Sequence, residues 1–136
     1  MRLQIIVIQL ILFLPFVAEQ AASAENLDNR WKYFASNVAG CKFYYDSESV
    51  ICLPNNVVKV WEKSLCPETT GYVVLEMTTL KEIDCNKRTY RQLQMEGTKK
   101  DGSGVFDFQP SGYGEIRPES LTETLYHTIC KKNNHK

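Results

Sequence analysis

Five cysteines, at positions 41, 52, 66, 85 and 130, constrain this chain most, because what they can do depends on the compartment they meet. The chain begins Met1-Arg2, runs apolar from Leu3 to Val17 apart from Gln4 and Gln9, and reaches Ala22-Ser23-Ala24 just before Glu25. One positive charge, an apolar stretch and small residues at alternate positions form the pattern of a cleavable export signal. The apolar stretch is shorter than the roughly 20 residues that span a bilayer, and no later segment is apolar enough to do so. The expected organisation is a cleaved leader over residues 1–24 and a single domain over residues 25–136, with no membrane span after cleavage. No cysteine stands at the expected cleavage point, so the reading is a periplasmic or secreted protein without a lipid anchor. Disulfides persist in that environment. Five is odd, so at least one thiol stays free or pairs with another chain.

The pattern after the leader is mostly of period two. Trp31–Asn37 is aromatic and strand-like, and Cys41, Phe43 and Tyr45 alternate with Lys42, Tyr44 and Asp46. Residues 47–56, rich in Ser, Asn and Pro, read as a connection. In Val57–Cys66, Val58 and Val60 share one face and Lys59, Trp61 and Lys63 the other. Tyr72–Cys85 is long and β-branched, and Thr89–Gly97 follows a short turn. Asp101-Gly102 marks a hairpin tip that returns through Val105–Phe108, and residues 109–114 read as a loop. The period then changes. Leu121, Leu125 and Ile129 recur every four residues, after a Ser120-x-x-Glu123 capping box in which the Glu123 carboxylate is expected to reach the Ser120 N–H. The expected fold is α+β: an antiparallel sheet of about six strands with one C-terminal helix packed on it.

The chemistry open to these residues is limited. His127 and Cys130 lie three apart on the helix, but zinc takes three or four ligands, and His135 in the polar tail is the only other histidine. A Cys–His catalytic pair needs a shared hydrogen bond that neighbours on one helix rarely make. No nucleophile elbow, phosphate loop or metalloprotease helix is present. Glu76, Glu82 and Asp84 share one strand face and read as a solvated surface. With 16 basic and 16 acidic residues, the chain lacks the cationic surplus of a nucleic-acid binder. The reading is no enzyme, no cofactor and no metal site. Cys85 ends the long strand beside Ile83, and Cys130 ends the helix beside Ile129, so a Cys85–Cys130 disulfide would clasp helix to sheet. Cys41 opens one strand and Cys66 closes the next, which favours Cys41–Cys66, with Cys52–Cys66 as the rival pairing.

An ordered set of short motifs runs through the chain: Tyr44-Tyr45-Asp46-x-x-Ser49-Val50, Val58-x-Val60-Trp61, Glu82-Ile83-x-Cys85, Arg91, Ile116-x-Pro118-x-Ser120, Leu125 and Ile129-Cys130. This set resembles the bacterial surface-adhesin protein E family over nearly the whole domain. The resemblance implies an antiparallel sheet with a C-terminal helix and a cysteine pair at Cys85 and Cys130. It also implies a non-catalytic envelope or secreted protein that binds host matrix proteins. Tyr113 stands where the family usually carries a tryptophan, and Cys41, Cys52 and Cys66 are additional.

Two functional expectations follow. In the first, the domain recognises an extracellular or envelope protein partner, with Lys99 and Lys100 at the hairpin tip and Phe106, Phe108 and Tyr113 in the following loop as contact residues. In the second, it is a structural or stress-related periplasmic protein that forms a homodimer through the odd cysteine, with no adhesive role.

Overall fold

The computed structural model describes residues 27–133. The expected leader and His135 lie outside them. The chain builds β1 (Trp31–Ser36), β2 (Lys42–Asp46), β3 (Ile51–Leu53), β4 (Val57–Leu65), β5 (Val74–Asp84), β6 (Thr89–Lys99), β7 (Gly104–Asp107), β8 (Gly114–Glu115) and α1 (Leu121–Asn133). The main path of the sheet runs β1-β2-β4-β5-β6-β7 and is antiparallel throughout. This is the expected α+β arrangement, with two strands more than the sequence suggests. Both additions are short. β3 pairs with the first residues of β4, and β2 with its last; β8 and β7 divide the outer edge of β6 in the same way. Three-residue Ile51–Leu53 and two-residue Gly114–Glu115 are too short for alternation to show, and only their pairing partners define them as strands.

The strand faces follow from the pleat, in which successive side chains point to opposite sides. Val58 and Val60 of β4 face Ile83 of β5 and Tyr45 of β2 on one side, and all four are buried. Helix α1 lays Leu125 and Ile129 onto that surface, where both are fully buried, and Ile116 closes the end. Disulfide Cys85–Cys130 ties the end of β5 to the helix across 45 residues of chain, and the Tyr126 hydroxyl donates to the Cys85 carbonyl at 3.2 Å. A second disulfide, Cys41–Cys66, joins the start of β2 to the residue after β4. Cys52 is free and exposed.

Local departures from strict alternation aim particular side chains. Phe34 is the extra residue in β1; it lies on the side of Tyr45, their ring centroids 6.4 Å apart, and it brings Ala35 round to that same side. Extra Leu75 in β5 puts Val74 on the same side as Met77. The helix cap differs in one bond from the capping box expected. The Ser120 hydroxyl accepts from the Glu123 N–H at 3.1 Å, but the Glu123 carboxylate accepts from the N–H of Glu119, at 2.7 Å, rather than from Ser120. Glu119 has φ 60°, which swings its amide over the helix start. Among the described residues no helix is long and apolar enough to cross a membrane.

Candidate binding face

Among the described residues no helix or second sheet packs over the sheet side away from α1, and the register places its residues in rows across the strands. One row runs Ile51, Lys59, Glu82, Arg91. The next pairs Trp61 with Leu80 and Gln94, with Trp31 opposite Asp46 on the outer strands. The third runs Tyr33, Tyr44, Lys63, Thr78, Glu96, Phe106, spanning the sheet from β1 to β7. Aromatic side chains therefore stand at both edges and in the middle. Tyr33 is 56% exposed, Phe106 65% and Tyr113 48%.

Charge pairs hold this face in a defined shape. Glu82 is nearly buried at its centre. It accepts from Arg91 Nε at 2.6 Å and from the Tyr113 hydroxyl at 3.0 Å, with Lys59 Nζ 3.7 Å away. Arg91 also lies over the Tyr113 ring, 4.8 Å from its centroid. Lys63 bridges Glu76 at 3.1 Å and sits 4.8 Å from the Trp31 centroid. On the edge, Arg30 pairs with buried Asp46 and lies 6.0 Å from the same indole. These contacts set cations against the Trp31 and Tyr113 rings.

The Glu82 environment corrects one expectation. Glu76, Glu82 and Asp84 do share a strand, but they do not form a solvated face. Asp84 is buried and accepts from the N–H groups of Asn86 and Lys87 at 3.0 and 2.9 Å, which shapes the turn into β6. Glu82 is covered because the segment after β7 brings Tyr113 back over it. Burial pushes the Glu82 carboxyl up, but bonds from Arg91 and Tyr113 and the charges of Arg91 and Lys59 outweigh it and hold it below its usual value. Asp46 is likewise pushed up by burial and held low overall, chiefly by Arg30. A carboxylate with a depressed folded pKa stabilises the fold above its unfolded value and loses that contribution as pH falls through the folded one. Thermal stability should thus be level in pH above the ordinary values of 4.5 and 3.8, and drop below them. Glu82→Gln should lower stability at neutral pH by about 1.5–3 kcal/mol, the range for a hydrogen bond to a charged group, and flatten the acid limb. Calorimetric melting from pH 7 to pH 2 checks both.

The contact residues expected from sequence do not all converge here. Phe106 lies on the open face and Phe108 stacks on it, centroids 6.3 Å apart. Tyr113 covers Glu82. Lys99 stands opposite Val74, on the helix side of the sheet, and Lys100 donates to the Glu68 carbonyl at 2.8 Å, which fastens the tip to the β4–β5 connection. Sequence reasoning missed Trp31, Tyr33 and Ile51 as part of this surface. The aromatic spacing in Trp31-x-Tyr33 was visible, but the face it joins depends on the β1–β2 register. At the helix, His127 is exposed and 3.7 Å from Glu123, and the Cys130 sulfur is bonded to Cys85.

Comparisons with known proteins agree with this architecture. No curated protein matches the chain. Among solved structures, Haemophilus influenzae protein E superposes with a TM-score of 0.56 at 14% sequence identity, covering 77% of this chain and 86% of that one. At that identity the likeness concerns the fold alone. The model of the Surface-adhesin protein E family matches residues 31–131, from the first residue of β1 into α1, and with that span the chain belongs to the Surface-adhesin protein E family.

Proposed function

We propose that this protein is an exported, non-catalytic binding domain whose open sheet face recognises another protein outside the cytoplasm, in the adhesive manner that the family's description names. One observation carries the reading: Trp31, Tyr33, Tyr44, Trp61, Phe106 and Tyr113 gather on one sheet face, interleaved with Lys63 and Arg91. Tyr, Trp and Arg dominate the few residues that supply most of the free energy of protein interfaces. Their ion pairs and ring contacts already fix them, so little ordering remains to be done on binding.

The test uses oxidised protein lacking residues 1–24, passed over immobilised extracellular-matrix proteins. Saturable binding is expected, and Tyr33→Ala with Phe106→Ala should weaken it at least tenfold, since each removes an aromatic of hot-spot type. Absence of binding to every matrix protein at micromolar concentration, or binding indifferent to the two substitutions, rules the open face out as the adhesive surface. Exposed Cys52 favours a second reading, a disulfide-linked homodimer with a structural role in the envelope. A band at twice the monomer mass on non-reducing gels, abolished by Cys52→Ser, is its expected signature; a purely monomeric band eliminates it.

A further inference from the structure

An open sheet has two end strands, and this chain treats them differently. At β1 the outer edge carries exposed Lys32, a bulge at Phe34 and α1 close alongside, features that discourage a further strand from pairing. The outer edge of β6 is already taken. β7 and β8 pair with its two ends, and between them Ser111 donates its N–H to the Gln92 carbonyl at 2.8 Å and accepts from the Gln92 N–H at 2.9 Å through its Oγ. That leaves β7 as the other end of the sheet, with no strand beyond it among the described residues. Its register on β6 is regular, it contains no proline or lysine, and its one charge, Asp107, accepts from the Gln109 N–H at 2.9 Å.

The Lys99 N–H donates to the Ser103 carbonyl at 2.9 Å, which sets the phase of the β6–β7 ladder. Alternate residues bond across an antiparallel pair, so Val105 and Asp107 turn their N–H and C=O groups to β6, and Gly104 and Phe106 turn theirs outward. The same two residues belong to the open face. A Cβ at Gly104 would come within 2.5 Å of the Phe106 ring, so the glycine both seats that ring and leaves the edge backbone uncovered. Beside Phe106 is a hollow of about 170 Å³ whose lining includes Thr78, Glu96 and Thr98. Glu96 stands directly opposite Phe106, is exposed, and pairs with no cation among the described residues. Glu76, also in the lining, already holds Lys63. On the other face Val105 is half-buried and stands opposite Gly97.

We propose that β7 takes up an extended segment of the partner protein as an added antiparallel strand, with arginine or lysine at alternate positions on the open face and aliphatic residues between them. The backbone of that strand bonds the outward groups of Gly104 and Phe106. A residue opposite Phe106 lies on the same face, about 4.8 Å away across the ladder. A long cationic side chain there can lay its stem along the ring and carry its head to Glu96. The aliphatic residues fall beside Val105. The inference rests on the open face being the binding surface, and it adds the conformation and charge of what binds at the β7 margin of that face.

A capped synthetic peptide of alternating arginine and valine, titrated into the oxidised protein lacking residues 1–24 and followed by amide shifts and hydrogen exchange, tests this. Saturable binding is expected, with the Gly104 and Phe106 amides gaining protection while those of Val105 and Asp107, already bonded to β6, change little. Methylating the arginine backbone nitrogens should abolish binding, because those N–H groups face β7 in this register; methylating the valine nitrogens should spare it. Glu96→Lys should weaken binding about tenfold, and a glutamate–valine peptide should not bind. Phe106→Pro removes the outward N–H without touching a bond to β6, and should bind about fivefold more weakly than Phe106→Ala, which removes the ring alone. Exchange at Gly104 and Phe106 unchanged on binding, no saturable shift through the low millimolar range, or equal loss on either methylation overturns the proposal. Protection of those two amides in the free protein that grows with its concentration would give the edge to a second copy, and overturns it too. A matrix protein that binds Phe106→Pro and Phe106→Ala equally leaves the open face standing and removes the added strand alone. Failure of every matrix protein, with the peptide still protecting the edge, removes the matrix-protein reading and keeps the strand.

Discussion

Replacing Cys85 and Cys130 together by serine should lower the unfolding free energy by about 4 kcal/mol, the value chain entropy assigns to a cross-link spanning 45 residues. A domain of this size has a net stability of about 5–15 kcal/mol, so the variant should be marginal at 37 °C. The loss should be uneven. Without the bond, α1 is held by Leu125 and Ile129 in the core, by the Tyr126 hydroxyl on the Cys85 carbonyl and by the Arg88–Glu123 pair at its first turn. The sheet keeps its ladders and the second disulfide. Hydrogen exchange should therefore show the α1 amides losing more protection than those of β4 and β5. Removing Cys41–Cys66 makes a useful contrast. Its span of 25 residues predicts a loss of about 3.5 kcal/mol, close to the first, but the protection lost should concentrate at the β2 start and the β4 end. Equal protection loss in the two variants would mean that neither bond acts locally, and that both act only by restricting the unfolded chain.

Much of this arrangement was legible in the chain because the elements that matter most are long and regular. β4 alternates without interruption, so Val58 and Val60 separate from Lys59, Trp61 and Lys63 by parity alone. The helix announces itself by Leu121, Leu125 and Ile129 and by Ser120 at its start. Three things escaped the pattern, each for a reason of tertiary origin. Bulges shift parity, so Ala35 and Val74 face sides that simple alternation denies them. Strands of two or three residues exist only through their neighbours. Charge burial is also invisible: nothing in Lys81-Glu82 tells that one residue enters the helix side beside a second carboxylate and that the other is covered by Tyr113 from 31 residues away. The candidate site suffered most from this, because its surface is assembled from seven strands whose mutual register no local pattern encodes.

Lys81→Met should be the most destabilising single substitution in the sheet, by about 3–5 kcal/mol, although it replaces a charged side chain with an apolar one at a buried position. Lys81 Nζ lies 2.8 Å from Glu62 Oε2 on the helix side, and both side chains are 9% exposed. The ammonium is also 5.7 Å from the centroid of the Tyr90 ring. Tyr45 stands beside Glu62 in the register and Thr79 opposite it, and both are buried. Removing the lysine alone would leave a carboxylate away from water with no cation, and that penalty, rather than the value of the pair, sets the size of the loss. Glu62→Leu combined with Lys81→Met removes both charges, and an apolar pair of similar volume in a buried site is often neutral or stabilising. The double variant should accordingly recover most of what the single one loses, and urea unfolding of the four proteins in the cycle measures the coupling directly. If the double variant is as unstable as Lys81→Met, then the site requires polarity for its own sake, and the ion pair is part of what sets the register of β4 on β5. If it recovers, register is carried by Val58, Val60 and Ile83 under the helix. The charges then lie beside that apolar floor without deciding how the strands align.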